Sequence, residues 1–207
     1  QQTCVIIDND FQDEWVELTP VAEPERLDGK ALSDLARKAG LVGLGGATFP
    51  HAVKFSLPPD KPVDTLILNG AECEPYLSAD HQLMLAKPSE IVSGAKVIQR
   101  ALNISRVMIG IENNKKDAIE IMTEACKGDD TVTVVGLPVH YPQGGEKQLV
   151  YALTKRVVKA GGLPLDSGVI VANVGSCYAL QRAVYEGRPI VDRVVTVSGC
   201  VKEPANY

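Results

Sequence analysis

Two short stretches of the sequence combine residue types that suit a ligand site, residues 43–50 (GLGGATFP) and residues 69–75 (NGAECEP). The glycines of the first leave several backbone N–H groups uncovered, which suits a phosphate. The second places the amide of Asn69 and the carboxylates of Glu72 and Glu74 just past a predicted strand, where α/β folds bind ligands. These groups suit hydroxyls and amides. Glycines alone more often serve tight turns, so it is the two stretches together that indicate a site.

The side chains in and beside these stretches each allow a binding and a structural interpretation. Lys54 would share a face with the glycine loop if that loop opens a helix, and would neutralise a phosphate or the electron-rich edge of a reduced flavin ring; otherwise it is a solvated surface lysine. Phe49 either stacks on a nicotinamide or adenine ring or anchors the loop to the core. Glu72 and Glu74 accept hydrogen bonds from ribose hydroxyls or a carboxamide, or form a solvated turn. No nucleophile or metal set completes a general acid–base pair.

Two further stretches run from predicted strands into helices. Residues 141–148 (YPQGGEKQ) pass through Gly145 to a helix N-terminus, where free N–H groups carry partial positive charge. Residues 172–176 (ANVGS) end a strand at Asn173, and Ser176 is the expected N-cap of the next helix. Four strand-end loops therefore carry ligand-type groups.

The elements that must position these loops follow the rhythm of βαβ units. From residue 28 onward, apolar runs rich in Val and Ile alternate with segments of helical spacing, which predicts an α/β fold with a mostly parallel sheet in a Rossmann-like three-layer sandwich. Gly40 is placed to end the first helix. The predicted strands are 64–69, 106–111, 131–137, 168–173 and 193–198, and the predicted helices are 31–39, 79–86, 88–102, 115–126, 146–155 and 176–185.

Both ends of the chain break this rhythm. Residues 4–8 and 15–18 resemble short strands around an acidic run, so we expect residues 1–27 to finish an upstream β domain. The Rossmann-like domain is predicted at residues 28–192. The absence of an initiator methionine and the turn-forming residues at the end predict that the sequence is cut from a longer protein.

The composition is that of an ordinary globular protein, with 45% hydrophobic and 23% charged residues among 207. This length supports one domain with short additions. A formal net charge of -5 with scattered basic groups argues against a nucleic-acid partner. No apolar run approaches the roughly 20 residues of a membrane-spanning helix, so we expect no such span.

Cysteines and histidines give no support to a metal site. The five cysteines are an odd number without a C-x-x-C pair, which predicts reduced thiols in a cytoplasmic protein, mostly as small buried hydrophobes. The exception is Cys73, which lies inside the second motif. The three histidines stand far apart without metal-ligand spacing, and no Walker-type phosphate loop is present.

These motifs, taken in order, resemble the C subunits of Rnf (Rsx) electron-transport complexes over nearly the whole chain. More distantly the sequence is similar to the flavin-binding subunit of respiratory complex I. The resemblance is carried by residues 43–50 with Lys54, by residues 68–76 (LNGAECEPY) and by residues 141–149 (YPQGGEKQL). Three separate motifs in the same order make this resemblance specific.

The resemblance implies an FMN held by the glycine loop, with NADH stacked on it so that hydride passes from nicotinamide C4 to flavin N5. Such a transfer requires positioning more than proton chemistry, which fits a site without a histidine base. The cofactor residues implied are Gly43, Gly45, Gly46, Lys54, Asn69, Glu72, Glu74, Gly145, Glu146 and Asn173, with Phe49, Glu72, Glu74 and Glu146 toward NADH.

The resemblance also implies surroundings for this domain. A β-grasp module would begin within residues 193–207, and [4Fe-4S] clusters would follow outside these residues. The partners implied are the other subunits of the membrane complex and, indirectly, ferredoxin. The location implied is peripheral, at the cytoplasmic face of the bacterial inner membrane, with electron transfer coupled to ion translocation.

Departures from the complex I pattern and two related protein classes qualify this interpretation. The complex I subunit usually has aspartate where this chain has Ala71, glycine where it has Thr48 and glutamate where it has Lys147, changes that fit the Rnf form. The flavoprotein cobalamin reductase of bacterial microcompartments shares the glycine loop and the AECEP stretch, although Thr48 and Tyr76 favour Rnf. The remaining alternative is a scaffold subunit that has lost its flavin, against which the intact glycine loop and Lys54 argue.

Overall fold

A computed structural model describes residues 4–207, which form a four-stranded parallel sheet between layers of helices. The strand order is β3-β2-β1-β4. Four of the predicted strands are confirmed, and the inner strand β1 is apolar at both parities because both of its faces are covered. The strands are β1 Thr65–Gly70, β2 Arg106–Glu112, β3 Val132–Leu137 and β4 Val169–Asn173.

The helices follow the predicted amphipathic segments closely. Helix α1 begins after Asp28, whose carboxylate accepts the N–H of Ala31, and Gly40 follows its end at φ 65° as predicted. No helix within residues 4–207 is long and apolar enough to span a bilayer. The helices are α1 Gly29–Lys38, α2 His51–Phe55, α3 Ala79–Ala86, α4 Pro88–Ala101, α5 Lys116–Ala125, α6 Glu146–Thr154 and α7 Val174–Tyr185, with 3₁₀ turns at Pro24–Arg26 and Pro164–Ser167.

Two apolar clusters lie on opposite faces of the sheet. The larger cluster packs Leu66 and Leu68 of β1 against α1, α4, α5 and α7. The smaller cluster packs Ile67 and Val171 against Leu149 of α6. Because successive residues of a strand point to opposite faces, the alternation along β1 supplies both clusters. The predicted Rossmann-like three-layer sandwich is confirmed.

The order of the strands reverses between β1 and β4. From β1 the chain passes through α3 and α4 to β2 and through α5 to β3, with these helices in the larger cluster. It then crosses through α6, on the other face, to β4 on the far side of β1. Asn69 and Asn173 pair in register at the carboxyl ends of these two strands. Such a switch point opens a crevice in which α/β proteins bind ligands.

The predicted fifth parallel strand at residues 193–198 is wrong. Only Thr196–Val197 is extended, as β5, and it pairs antiparallel with β6 Ala205–Asn206 in a separate two-stranded sheet. The intervening turn returns the chain on itself, and a short hairpin closes at lower entropic cost than a distant parallel pairing. The β-grasp module predicted to begin within residues 193–207 stays a prediction.

The two strands predicted near the beginning of the chain are also wrong. Residues 4–8 and 15–18 are irregular, and Val5 is 86% exposed. Within the described chain no strand pairs with them, and an apolar run without a partner strand leaves its backbone groups to water. Of the upstream β domain predicted at residues 1–27, residues 1–3 lie outside the described chain, and the domain itself stays a prediction.

Helices α4 and α7 approach closely where α4 carries Gly94. A Cβ added to Gly94 would lie 1.9 Å from the carbonyl oxygen of Cys177. The neighbouring atom belongs to the backbone, so a change of rotamer does not relieve the overlap. The absence of a side chain at Gly94 therefore sets the distance between these two helices.

We expect Gly94→Ala to destabilise the protein by about 3 kcal/mol, because the two helices must separate to admit the methyl group. Urea denaturation measures the change. Gly29→Ala is the matched control: there the nearest atom is the end of the flexible Leu102 side chain, at 3.0 Å, and the loss should stay below about 1 kcal/mol. Equal losses in both variants would contradict the close-packing account.

Candidate functional site

The glycine loop, residues 43–50, is closed at its base by backbone contacts. The N–H of Gly43 donates to the carbonyl of Phe49 at 2.9 Å, and Val42 forms a β-bridge with Pro50. Within the loop Gly46 has φ 117° and Thr48 has φ 53°. A β-branched residue is strained in that left-handed region, at a cost of about 1–2 kcal/mol. Strain of this kind clusters at ligand-binding loops.

The loop rests on the start of α7. The N–H of Leu44 donates to the Ser176 hydroxyl at 3.0 Å, and its carbonyl accepts from Arg193 at 3.1 Å. The prediction that Ser176 is the N-cap of α7 is therefore wrong; the cap is Asn173, whose amide oxygen accepts the N–H of Gly175 at 2.8 Å. The helix starts earlier than predicted because the amide caps it directly from the strand end, which frees Ser176 to hold the loop.

Asn69 ties the end of β1 to the loop before α6. Its amide nitrogen donates to the carbonyl of Gly144 at 2.9 Å, and its oxygen accepts the N–H of Ala71 at 3.1 Å. The N–H of Gly144 lies 3.4 Å from the Cys73 sulfur. A Cβ on Gly144 would lie 2.3 Å from the carbonyl oxygen of Ala71, so this contact also requires glycine. Asn69 and Cys73 thus join two of the predicted motifs, at residues 69–75 and 141–148.

Lys54 lies inside the crevice. Its ammonium donates to the carbonyl of Val171 in β4 at 2.6 Å and lies 3.5 Å from the carboxylate of Glu146. It also lies 6.0 Å from the centroid of the Phe49 ring. The side chain is 22% exposed, so the alternative of a solvated surface lysine is wrong. Phe49 is 46% exposed and does not anchor the loop to the core.

The two glutamates of the second motif have different surroundings. The carboxylate of Glu72 accepts the N–H groups of Asp80 and His81 at the start of α3, at 3.1 and 3.3 Å. Glu74 is exposed, and a hydrogen bond to its carboxylate raises the pKa of the Tyr141 hydroxyl. Both line an open cleft of about 450 Å³ together with Tyr76, His81 and His140. Glu72 is therefore partly occupied by helix capping, whereas Glu74 faces solvent.

Sequence reasoning missed two charged residues behind the second motif. Lys115 is buried, and its ammonium lies 3.1 Å from the carbonyl of Glu72 and 3.4 Å from the carboxylate of Glu112. Asp80 accepts from the Asn173 amide at 2.6 Å; burial, and secondarily the Glu72 charge, raise its pKa to about 6. In the sequence both are ordinary charged residues near helix starts, and only the fold brings them to the strand ends.

His51, which follows the glycine loop, is buried without polar contacts. Neither ring nitrogen has a hydrogen-bond partner within the described chain, and the ring meets Phe55 edge-on at 5.2 Å between centroids. Burial, aided by the charge of Lys54, lowers the pKa of His51 from 6.5 to about 4. The ring is therefore neutral at physiological pH and packs as an apolar group.

A comparison with known protein families identifies one family that matches most of this chain. The model of the Nuo51 FMN-binding domain matches residues 36–182, a span that contains the glycine loop, the four strands of the parallel sheet and the stretches 69–75, 141–148 and 172–176. The chain belongs to this family. The family's name includes the cofactor FMN. In this chain the glycine loop, Lys54 and Asn173 meet at the crevice between β1 and β4.

Curated relatives of this chain include C subunits of ion-translocating oxidoreductases. The C subunit of the proton-translocating ferredoxin:NAD(+) oxidoreductase complex of Clostridium ljungdahlii is 50% identical over 98% of this chain and 45% of its own length. The Na(+)-translocating counterpart of Acetobacterium woodii is 44% identical over 90% of the chain and 42% of its own. The predicted resemblance to Rnf C subunits is confirmed, and the chain spans less than half the length of these relatives.

Solved structures agree with the fold. An NAD+-reducing [NiFe]-hydrogenase in the H2-reduced state matches with a TM-score of 0.69 and 25% identity, covering 91% of this chain and 39% of that chain. The air-oxidized form gives a TM-score of 0.67 at 22% identity over 80% of this chain and 33% of that chain. These likenesses support the Rossmann-like architecture.

We expect His51→Phe to reduce the sensitivity of the protein to acid. Because the pKa of His51 is about 4 in the folded chain and 6.5 when unperturbed, the unfolded chain binds more protons between these values, and stability falls as the pH drops from 6.5 toward 4. The variant lacks this contribution. Asp80, whose raised pKa acts in the opposite direction, is present in both proteins. The measurement is the free energy of unfolding at pH 7 and pH 4.5.

The matched control for this experiment is His140→Phe, at an exposed position. It should keep the pH dependence of the unmodified protein. If His51→Phe loses as much stability as the unmodified protein between the two pH values, His51 is not the buried neutral group described above.

Proposed function

We propose that this chain is the FMN- and NADH-binding core of the C subunit of an Rnf-type, ion-translocating ferredoxin:NAD oxidoreductase complex. The observation that carries the proposal is the convergence of the glycine loop, Lys54 and Asn173 at the switch point between β1 and β4. Membership of the Nuo51 FMN-binding domain family and the names of the relatives support it.

The residues at the crevice fit the chemistry of FMN. The glycine loop offers backbone N–H groups for the phosphate or ring oxygens, since Gly45 and Gly46 carry no side chains to cover them. Lys54 supplies a positive charge, and the hydrogen bond from its ammonium to the Val171 carbonyl fixes the position of that charge. A Cβ on Gly45 would lie 3.4 Å from the Asn173 side chain, an ordinary van der Waals distance, so a side chain larger than alanine would press on Asn173. We assign Gly43, Gly45, Gly46, Lys54 and Asn173 to FMN.

The remaining predicted residues divide between structural and ligand-facing roles. Asn69 holds the two loops together, and Gly145 caps α6, so both shape the crevice. NADH can be contacted by three exposed residues, Phe49, Glu74 and Glu146. Glu72 already accepts hydrogen bonds from the start of α3, so it has less capacity left for a contact with NADH.

The reaction we propose is hydride exchange between NAD(H) and FMN, the two-electron chemistry that the flavin supplies when bound. The chain contributes alignment. Lys54, held between the Val171 carbonyl and Glu146, keeps a positive charge at a set place in the crevice. The centroid of the Phe49 ring lies 6.0 Å from the Lys54 ammonium. No proton transfer from this chain is required.

We further propose that electrons continue to [4Fe-4S] clusters outside these residues and, through the other members of the complex, exchange with ferredoxin. In this proposal the subunit is peripheral at the cytoplasmic face of the bacterial inner membrane. The coupling to ion movement then belongs to the whole complex, as the relatives' names indicate for those proteins.

FMN binding tests the assignment without relying on activity. Quenching of FMN fluorescence should be saturable with the unmodified chain, and Lys54→Ala should weaken binding about tenfold or more because a charge-assisted hydrogen bond is worth about 1.5–3 kcal/mol. Gly45→Val should weaken binding comparably by displacing the loop from Asn173. The matched control is Lys38→Ala, on an exposed part of α1, which should leave the affinity unchanged. Anaerobic NADH should then bleach the bound flavin.

Two outcomes would overturn the assignment. FMN binding that both Lys54→Ala and Gly45→Val leave intact would place the flavin elsewhere. Absence of saturable binding, also in a longer chain that continues past residue 207, would favour a scaffold subunit without flavin.

A further inference from the structure

Asp80 is a partly buried residue that the proposed function leaves without a role. It stands in the first turn of α3, where its own N–H donates to the Glu72 carboxylate at 3.1 Å. Its side chain accepts a hydrogen bond from the Asn173 amide nitrogen at 2.6 Å. It therefore joins two of the residues predicted for the site, one by its backbone and one by its side chain.

The Asn173 amide has only one orientation that satisfies its neighbours. Its oxygen accepts the N–H of Gly175 at 2.8 Å while its nitrogen donates to Asp80. A flipped amide would set oxygen against the Asp80 carboxylate and N–H against the Gly175 N–H, which are two repulsive contacts. Asp80 and Gly175 together therefore determine which way the amide faces.

In this orientation one N–H of the amide has no acceptor among residues 4–207. An amide nitrogen has two hydrogens, and Asp80 takes one of them. The nitrogen lies against the glycine loop, since a Cβ on Gly45 would stand 3.4 Å from it. The amide nitrogen is thus beside the crevice assigned to FMN, whose ring and phosphate are rich in acceptor atoms.

The charges around Asp80 explain how a carboxylate persists there. Glu72 lies on the same side and disfavours a second negative charge, whereas Arg193 and Lys115 favour it. Burial is the largest cost. Burial and the Glu72 charge both disfavour a carboxylate at this position. Its presence there is explained if the hydrogen bond to Asn173 is required.

We propose that Asp80 is a positioning residue of the flavin site: it holds the Asn173 amide so that one N–H is presented to an acceptor atom of FMN. This inference rests on the proposed function, because it takes the crevice to be the FMN site. It assigns to Asp80 an effect on cofactor affinity that passes through Asn173 and involves no contact of its own with the flavin.

The test is a double-mutant cycle on the FMN dissociation constant, measured by fluorescence quenching. Asp80→Ala should weaken binding about five- to tenfold, since the released amide must be ordered on binding. Asp80→Asn keeps an acceptor oxygen and should stay within about twofold of the unmodified chain. In an Asn173→Ser background, which retains a helix-capping oxygen, Asp80→Ala should change the affinity less than about twofold.

Two controls separate positioning from stability and from charge. Asp34→Ala removes an equal charge from an exposed part of α1 and should leave FMN affinity unchanged. In the FMN-free protein, NMR should show the Asn173 side-chain amide protons slowed in exchange, with that protection lost in Asp80→Ala and kept in Asp80→Asn. This readout stands independently of flavin binding.

The possible failures are distinguishable. If the unmodified chain binds no FMN, the proposed function fails. If it binds FMN and Asp80→Ala binds equally well, or loses as much affinity in the Asn173→Ser background as alone, the positioning role of Asp80 is overturned.

Discussion

The hydrogen bonds at the carboxyl ends of β1 and β4 are the interactions on which the rest of the site depends. Asn69 and Asn173 stand side by side in register, and each uses its amide to hold a loop or a helix that leaves the sheet. The loop that Asn69 holds leads into α6 on one face of the sheet, whereas α7 packs on the other face. The strand order also reverses between β1 and β4, so a crevice stays open there. The two amides position the walls of that crevice because the oxygen and the nitrogen of each have a hydrogen-bond partner in a neighbouring segment.

Charge is balanced around the crevice rather than accumulated in it. Lys54 is offset by Glu146 on the α6 side, and the buried Lys115 is offset by Glu112 behind the second motif. Asp80 and the neighbouring Glu72 place negative charge close to Asn173. Of the two ion pairs only Lys115–Glu112 is buried, and Lys54 and Glu146 are 22% and 44% exposed, so these pairs add little net stability. They keep charged groups at set places, which suits a reaction that depends on alignment.

Much of the fold could be predicted from sequence because its signals are local. The parallel strands are continuous apolar runs, and α3 occurs at the predicted residues 79–86 because its boundaries carry ordinary helix signals. Residues 193–198 misled the prediction because an apolar run does not specify its partner strand, which here comes from the chain just beyond it. The cap of α7 was misplaced because Asn173 and Ser176 are both good capping residues.

The parts of the site that lie in local sequence motifs could be predicted, and the contacts between residues distant in sequence could not. The glycine loop, Lys54 and the amide residues have recognisable types and spacings. The Asp80–Asn173 hydrogen bond and the contact of Lys115 with the Glu72 carbonyl span 93 and 43 positions of sequence, respectively. No local pattern encodes such contacts. The first follows only once β1 and β4 are neighbours, and the second only once β1 and β2 are.

The most direct measurement is a crystal structure of the chain with bound FMN. The account predicts the flavin at the carboxyl ends of β1 and β4, between the glycine loop and the loop containing Gly144, within contact of Lys54 and Asn173. A cleft of about 650 Å³ lies between α3, α7 and the final residues. It borders the glycine loop at Leu44 and the Asn173 amide at Asp80 and Gly175, and its lining also includes Tyr178, Arg182 and Tyr207. FMN bound against Tyr178 and Tyr207, out of contact with Lys54 and Asn173, would contradict the account.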